Sequence, residues 1–203
     1  PYREVLSKAN EFVGYLPNAE TVEPDTKLGL DDMFELVRKA DEDYRTLQEK
    51  KEKLKQKIEE YRAKQQIVAP FRPLECDLHR VLHYRYITYR FGRIAVEFYH
   101  KMQKYLMDDL KAIFVEGERD ESYVYGVYFV SQAETQKVDA VFRSLHFERI
   151  ELKDEFEGTP DTAYRVLENE IARVNLEIED LDKQAGEMLA DRATQLVAAR
   201  DRL

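Results

Sequence analysis

The sequence has few of the residues that make turns, crosslinks and membrane spans. Among 203 residues there are only 7 glycines, 6 prolines and one cysteine, Cys76. A single cysteine excludes an intrachain disulfide and fits a reducing compartment. No apolar run approaches the roughly 18 residues of a membrane helix, and no signal peptide is recognisable. The sequence therefore predicts neither a disulfide-stapled secreted domain nor direct contact with a membrane.

A basic segment is also missing. The net charge is −9, and acidic residues outnumber basic ones in each of the segments 1–69, 70–158 and 159–203. Nucleic-acid affinity comes largely from basic side chains that neutralise phosphates, so the sequence does not predict a nucleic-acid partner. Charged residues of both signs nevertheless make up 36% of the chain, which favours long solvated helices over one compact globule.

Two stretches have the heptad periodicity of paired helices. In residues 32–67 the apolar positions alternate in spacing between four and three, with Lys51 as the one polar intruder. These positions are Met33, Val37, Ala40, Tyr44, Leu47, Leu54, Ile58 and Tyr61. Residues 160–203 begin with the same pattern. Its positions are Tyr164, Leu167, Ile171, Val174, Ile178, Leu181, Ala185 and Met188.

The second helical stretch has a clear start and an irregular end. Thr159 is a suitable N-cap, and Pro160 suits the first helical position. After Ala185 the apolar seam shifts to Leu189, a stutter that locally unwinds a coiled coil. Gly186 lies beside the stutter, so we predict a compliant point there and a slight gain of stability when it is replaced by alanine.

Each helix needs a partner, because an isolated amphipathic helix is marginally stable in water. We therefore predict an antiparallel coiled-coil hairpin, with an outgoing arm at 32–69 and a returning arm at 159–203. The segment between them, 70–158, is predicted to form a lobe at the tip. Residues 1–31 are predicted to contain a short helix over 1–16, followed by a loop.

The lobe has the element order β-α-β-β-α-β, which is that of the ferredoxin-like fold. Strands are predicted at 84–94, 111–116, 122–130 and 146–152, with one helix at 95–110 and another opened by a Ser131–Glu134 capping box. The predicted fold class is therefore α+β, a coiled-coil hairpin that carries a ferredoxin-like βαββαβ lobe.

The predicted strands are rich in aromatic residues. Neither face of SYVYGVYFV is polar, whereas a sheet that is wet on one side alternates polar and apolar residues. We therefore predict that both faces are covered, the second by the arms or by a partner. On that second face Tyr86, Tyr123 and Tyr125 are the candidate protein-binding residues, shared between packing and partner contact. A base-stacking platform is the alternative, but the lobe is acidic and lacks the RNA-recognition consensus.

No group of residues predicts catalysis or a bound cofactor. There is no glycine-rich phosphate loop and no nucleophile elbow. Cys76, His79 and His83 are spaced to share one helix face, where a zinc ion would fit. A fourth ligand is missing from the local sequence, so no metal site is predicted.

Two arginines in the first predicted strand raise a separate question. Arg90 and Arg93 have the chemistry to clamp an anion. Such arginines more often pair with a local carboxylate. We expect that pairing here, with Glu97 as the candidate partner.

Four stretches of the sequence together resemble a known family. They are YITYRFGRIAVEFYHKM (86–102), YVYGVYFV (123–130), VDAVFRSLHFERI (138–150) and EFEGTPDTA (155–163). In this order, and flanked by two coiled-coil arms, they resemble subunit I of V-type ATP synthases. That subunit is the prokaryotic counterpart of the membrane-anchored subunit a of vacuolar ATPases.

The resemblance implies a stator, the part of a rotary enzyme that resists torque while the rotor turns. It implies that 70–158 is the distal lobe, which holds a peripheral-stalk heterodimer, and that 1–20 is a remnant of the proximal lobe. In the full-length subunit a central collar subunit and the membrane rotor ring are further partners. The implied place is the cytoplasmic face of a membrane, in a complex that couples proton transport to ATP synthesis or hydrolysis.

The membrane half of that family, with its proton half-channels, has no counterpart in this sequence. The chain begins at Pro1 without a methionine and stops at Leu203 within a helical pattern, so we expect it to be a piece of a longer protein. The resemblance then implies a non-catalytic fragment. A generic coiled-coil adaptor of another assembly is the alternative function, and a nucleic-acid-binding ferredoxin-like module is a further one.

Overall fold

The computed structural model describes every residue except Pro1 and Asp154. In chain order the elements are α1 (Tyr2–Gly14), α2 (Leu30–Val68), α3 (Leu78–Leu82), β1 (Ile87–Ala95), α4 (Val96–Asp108), β2 (Ala112–Arg119), β3 (Tyr123–Ser131), α5 (Thr135–Ser144), β4 (Glu148–Arg149), α6 (Pro160–Asp191) and α7 (Ala193–Arg202). Short 3-10 helices lie at Ala19–Thr21, Ala69–Phe71 and Gln132–Glu134. None of the described helices is both long enough and apolar enough to cross a membrane.

The chain divides into two compact units. The first consists of Pro1–Ile58 and Ala172–Leu203, and the second of Glu59–Ile171. In the first unit, α1, α7 and parts of α2 and α6 share one hydrophobic core. Its buried members are Ala9, Phe12, Val13, Leu16, Met33, Val37, Ala40, Leu189, Leu196, Val197, Ala198 and Ala199.

Ion pairs between α2 and α6, and at the end of α6, give the direction of the two helices in the first unit. The Lys51 Nζ lies 2.7 Å from Asp182 Oδ1, and the Arg192 Nη2 lies 2.9 Å from Asp43 Oδ2. One residue number rises as the other falls, so the helices are antiparallel, as predicted. The predicted seam positions in this unit are buried or half-buried, which confirms the heptad interpretation.

Lys51 is the charged residue within this seam, and we expect it to cost stability. A lysine at one seam position fixes the register of a helix pair at the expense of apolar packing. Lys51→Leu should therefore raise the free energy of unfolding by about 1 kcal/mol, measured by urea denaturation. Lys55→Leu, at an exposed position of the same helix, should change it by less than about 0.5 kcal/mol. A clear loss in Lys51→Leu would contradict this expectation.

The irregularity in the returning helix lies further along the chain than the predicted compliant point at Gly186. α6 runs past Gly186 to Asp191, and α7 begins at Ala193. Between them Arg192 has φ −107° and ψ 12°, and its guanidinium donates a hydrogen bond to Asp43. The interruption therefore lies at a residue whose side chain is tied to α2, and the glycine is an ordinary interior position of α6.

Gly186 is accordingly a site where alanine should stabilise the protein. A methyl group added at its Cα would meet no atom within 4 Å, and alanine is favoured over glycine inside a helix by about 1 kcal/mol. We expect Gly186→Ala to raise the melting temperature by about 2–4 °C, measured by scanning calorimetry. A lower melting temperature would mean that the glycine permits a close approach that the methyl group blocks.

The second unit contains a four-stranded antiparallel sheet in the order β2-β3-β1-β4. β1 and β2 are joined through α4, and β3 lies between them. This is the split βαβ arrangement that the element order predicted. The α+β fold class is confirmed.

Each face of the sheet has its own hydrophobic core. On the first face α4 and α5 pack on the sheet, with Met102 and Tyr128 among the buried residues. On the second face Phe71, from a 3-10 helix, packs with Phe91 and Val127. Both faces are thus covered by residues of this chain, which explains why the third strand has no polar face.

The fourth strand is shorter than predicted. β4 is Glu148–Arg149 only, and not residues 146–152. Before it, His146 has a left-handed φ of 58°, which interrupts an extended backbone. After it, Leu152 is buried in the core of the second face. The chain therefore leaves the sheet edge to bury this leucine.

One predicted helix cap is confirmed and the other is wrong. The Thr162 amide donates to Thr159 Oγ1 at 3.1 Å, directly before α6. Ser131 is instead the last residue of β3, and its side chain makes no capping hydrogen bond. Thr135 Oγ1 donates to the Ser131 carbonyl oxygen at 3.1 Å. A 3-10 turn thus replaces the predicted capping box with Glu134.

Candidate functional site

Two of the candidate tyrosines lie side by side on the second face. The ring centroids of Tyr123 and Tyr125 are 6.4 Å apart, and both residues are half-buried. The Arg93 guanidinium lies 3.8 Å from the centroid of the Tyr123 ring and donates to the Tyr125 hydroxyl at 3.4 Å. The Phe71 ring meets Tyr125 edge-on. Each tyrosine therefore packs within the lobe and also presents part of its surface to solvent.

The structure separates Tyr86 from this pair. Tyr86 directly precedes Ile87, which pairs with Ser131 at the end of β3, whereas Tyr123 is the first residue of that strand. A nine-residue strand spans about 30 Å at about 3.3 Å per residue. Tyr86 is 77% exposed. The three candidate residues therefore do not form one contact patch.

The two arginines of β1 both pair with carboxylates, but not with Glu97. Arg93 Nε donates to Glu148 at 2.6 Å, and Arg90 Nη2 donates to Asp139 at 3.3 Å. Glu97 lies in the first turn of α4. The predicted partner was wrong, because Arg93 pairs with a residue of β4 and Arg90 with a residue of α5. Neither pairs with the carboxylate that is nearby in sequence.

The buried carboxylate of Asp139 was missed by sequence reasoning. This α5 residue is 9% exposed, and its Oδ1 accepts a hydrogen bond of 2.6 Å from the Tyr128 hydroxyl. Its Oδ2 lies 3.3 Å from Arg90 Nη2 and 3.1 Å from Arg149 Nη2. Burial, together with the hydrogen bond to Asp139, raises the pKa of Tyr128. The sequence feature that could have revealed it is an aspartate next to Val138, on the apolar side of the predicted helix.

Cys76, His79 and His83 lie in or beside α3. The ring centroids of His79 and His83 are 4.5 Å apart, and His83 Nδ1 lies 2.7 Å from the His79 carbonyl oxygen. Burial raises the pKa of the Cys76 thiol. Within residues 2–153 and 155–203, no three His, Cys, Asp or Glu side chains are grouped so that they could hold a metal ion.

Comparison with known proteins gives a similarity of fold. No protein-family model matches the chain, and no curated protein does. Among solved structures, it is similar to one described as the cytoplasmic N-terminal domain of subunit I, homolog of subunit a, of V-ATPase. The TM-score is 0.55 at 13% sequence identity, over 99% of this chain and 67% of that one. The chain has the fold of that domain. The resemblance carried by the four sequence stretches is confirmed at the level of the fold.

Proposed function

We propose that the chain is part of the stator of a proton-translocating rotary V-type ATPase or ATP synthase, at the cytoplasmic face of the membrane. The observation that carries the proposal is a fold similarity over 99% of the chain to a domain named as part of a V-ATPase. The four stretches that resemble subunit I support the same assignment. In this role the chain is a non-catalytic scaffold, and the chemistry belongs to other parts of the complex.

The long helices suit a part that resists force. α2 has 39 residues and α6 has 32, which is about 58 and 48 Å at about 1.5 Å per residue. α2 contains neither glycine nor proline, the residues at which helices most often kink. The ion pair between Lys51 and Asp182 opposes sliding of one helix along the other.

In this proposal residues 70–158 are the distal lobe and dock a peripheral-stalk heterodimer. Tyr123 and Tyr125 remain candidate contact residues, because aromatic residues with one polar end are enriched at protein interfaces. Tyr86, which is 77% exposed, is a candidate at a separate place on the lobe. In the full-length subunit, a central collar subunit and the membrane rotor ring are the further partners.

Calorimetric titration with the peripheral-stalk heterodimer of the same organism tests the proposal. We expect saturable binding that Tyr86→Ala or Tyr125→Ala weakens about tenfold. Tyr2→Ala removes an exposed tyrosine from the first unit and serves as the matched control. Binding that survives both lobe changes would move the docking site to other residues. If neither calorimetry nor gel filtration detects a complex, the stator proposal fails.

A further inference from the structure

The second unit contains a cavity of about 580 Å³ beside the first half of β1. One wall comes from β1 and the residues before it, and the other from Arg149, the last residue of β4, and the residues that follow it. We call it the arginine cavity. Its lining includes Tyr84, Arg85, Ile87, Arg90, Arg149 and Leu152.

The charge of this cavity is opposite to that of the protein. Among the described residues that line it, three are arginines, Arg85, Arg90 and Arg149, and one is a carboxylate, Glu151. The chain as a whole has a net charge of −9. A local excess of positive charge in a concave site attracts an anionic partner group.

The hydrogen bonding of the three arginines is incomplete. Arg90 and Arg149 share a single oxygen of Asp139, whose other oxygen is taken by Tyr128. The contacts of Arg90 to Asp139 and to its neighbour's carbonyl oxygen are long, at 3.3 Å each, and its Nε is buried with no acceptor among the described residues. Arg85 is exposed and has no carboxylate partner in the described part of the chain. A guanidinium has five donors, so capacity remains for another carboxylate.

The same cavity lies beside the first residue of β1, Ile87, which has no strand partner on the β4 side among the described residues. On the β4 side of the sheet, β1 has strand pairing only at Gly92 and Arg93 among the described residues, followed by one hydrogen bond from the Ile150 amide to the Phe91 carbonyl oxygen. Ile87, near the unpaired end, is 44% exposed. An unpaired strand edge of this kind accepts an extended peptide from another chain.

We propose that the arginine cavity binds an extended acidic segment of a partner protein. The carboxylates of that segment pair with Arg85 and Arg149, its backbone meets the edge of β1 at Ile87, and its apolar side chains contact Tyr84 and Ile87. A free phosphate ion would use the arginines but not the apolar lining or the strand edge, so the complete lining favours a peptide. The proposal rests on the proposed docking function, because it gives that function a surface and a ligand chemistry.

The first test uses the full chain and a short fluorescein-labelled peptide that alternates leucine and glutamate, followed by fluorescence anisotropy. Arg85→Glu should weaken binding at least tenfold, since a repulsive charge replaces an attractive one. Arg143→Glu makes the same change of charge at an exposed α5 position outside the cavity and should leave the affinity within about twofold. A peptide with glutamine in place of glutamate should not bind. Melting curves establish that each variant is folded.

Three results would overturn the proposal: no binding of the acidic peptide, equal losses in Arg85→Glu and Arg143→Glu, or complete displacement of the peptide by millimolar inorganic phosphate. The last would identify a simple anion site.

A second titration, with the peripheral-stalk heterodimer, separates the two proposals. Heterodimer binding that Arg85→Glu leaves unchanged contradicts the cavity assignment and leaves the stator role intact. Peptide binding without heterodimer binding supports the cavity and contradicts the stator role.

Discussion

Replacing Asp139 with alanine is expected to lower the free energy of unfolding by about 3 kcal/mol. The change removes the acceptor of the Tyr128 hydroxyl and the shared partner of Arg90 and Arg149. Tyr128 is 1% exposed, so water does not replace the lost hydrogen bond. Breaking a buried hydrogen-bonded ion pair by removing one member costs about 3–5 kcal/mol, and the lower value applies because both arginines are partly solvated.

Urea denaturation measures this loss, with two variants to separate its causes. Asp139→Asn keeps an oxygen that accepts from Tyr128 but removes the charge, and should lose about 1–2 kcal/mol. Glu121→Ala removes an exposed carboxylate from the turn between β2 and β3 and should change stability by less than about 0.5 kcal/mol. If Asp139→Ala behaves like Glu121→Ala, the contacts of the Asp139 carboxylate do not stabilise the lobe.

The second large effect is expected at Gly92, the glycine within YRYITYRFGRI. A methyl group at its Cα would collide with the Glu148 carbonyl oxygen and the Phe147 ring. The carbonyl belongs to the backbone of β4, directly beside the residue that pairs with Gly92, so it cannot move without breaking that pairing. Overpacking of this kind costs about 1–3 kcal/mol. We expect Gly92→Ala to lose at least 2 kcal/mol.

Gly186→Ala provides the matched control, because the same chemical change is made where the added methyl group meets open space. The two variants should shift the unfolding midpoint in opposite directions. Hydrogen exchange adds a local measurement, since the Ile150 amide donates to the Phe91 carbonyl oxygen beside β4 and should lose protection in Gly92→Ala. An unchanged midpoint with unchanged protection would mean that β4 does not pack against Gly92 as described.

Sequence periodicity predicted the paired helices well, because the signal is local. Met33 and Ala40 lie one heptad apart, and both are buried. The order of strands and helices in the lobe followed from similar local patterns. The length of β4 did not, because it depends on Leu152 leaving the sheet edge to reach the core of the second face.

The candidate site was harder to predict, because its groups meet across long separations in sequence. Arg90 finds Asp139 on α5, 49 residues away, and Arg149 joins them from β4. No pattern in the sequence connects these residues before the sheet is assembled. Tyr86 illustrates the opposite error, because it was grouped with Tyr123 on one predicted face of the sheet although the length of β3 separates them.

The antiparallel pairing of α2 with α6 has a consequence for how the protein is made. Lys51 and Asp182 are separated by 131 residues, so the part of the α2 seam that pairs with α6 has no partner until residues 160–191 have left the ribosome. Closing so long a loop is slow unless an intervening domain folds first and brings its ends together. The sheet lobe lies entirely within that interval, and its early folding would shorten the time during which α2 is exposed to aggregation. A mutation that slows folding of the lobe would therefore lower the yield of intact protein by prolonging the exposure of α2.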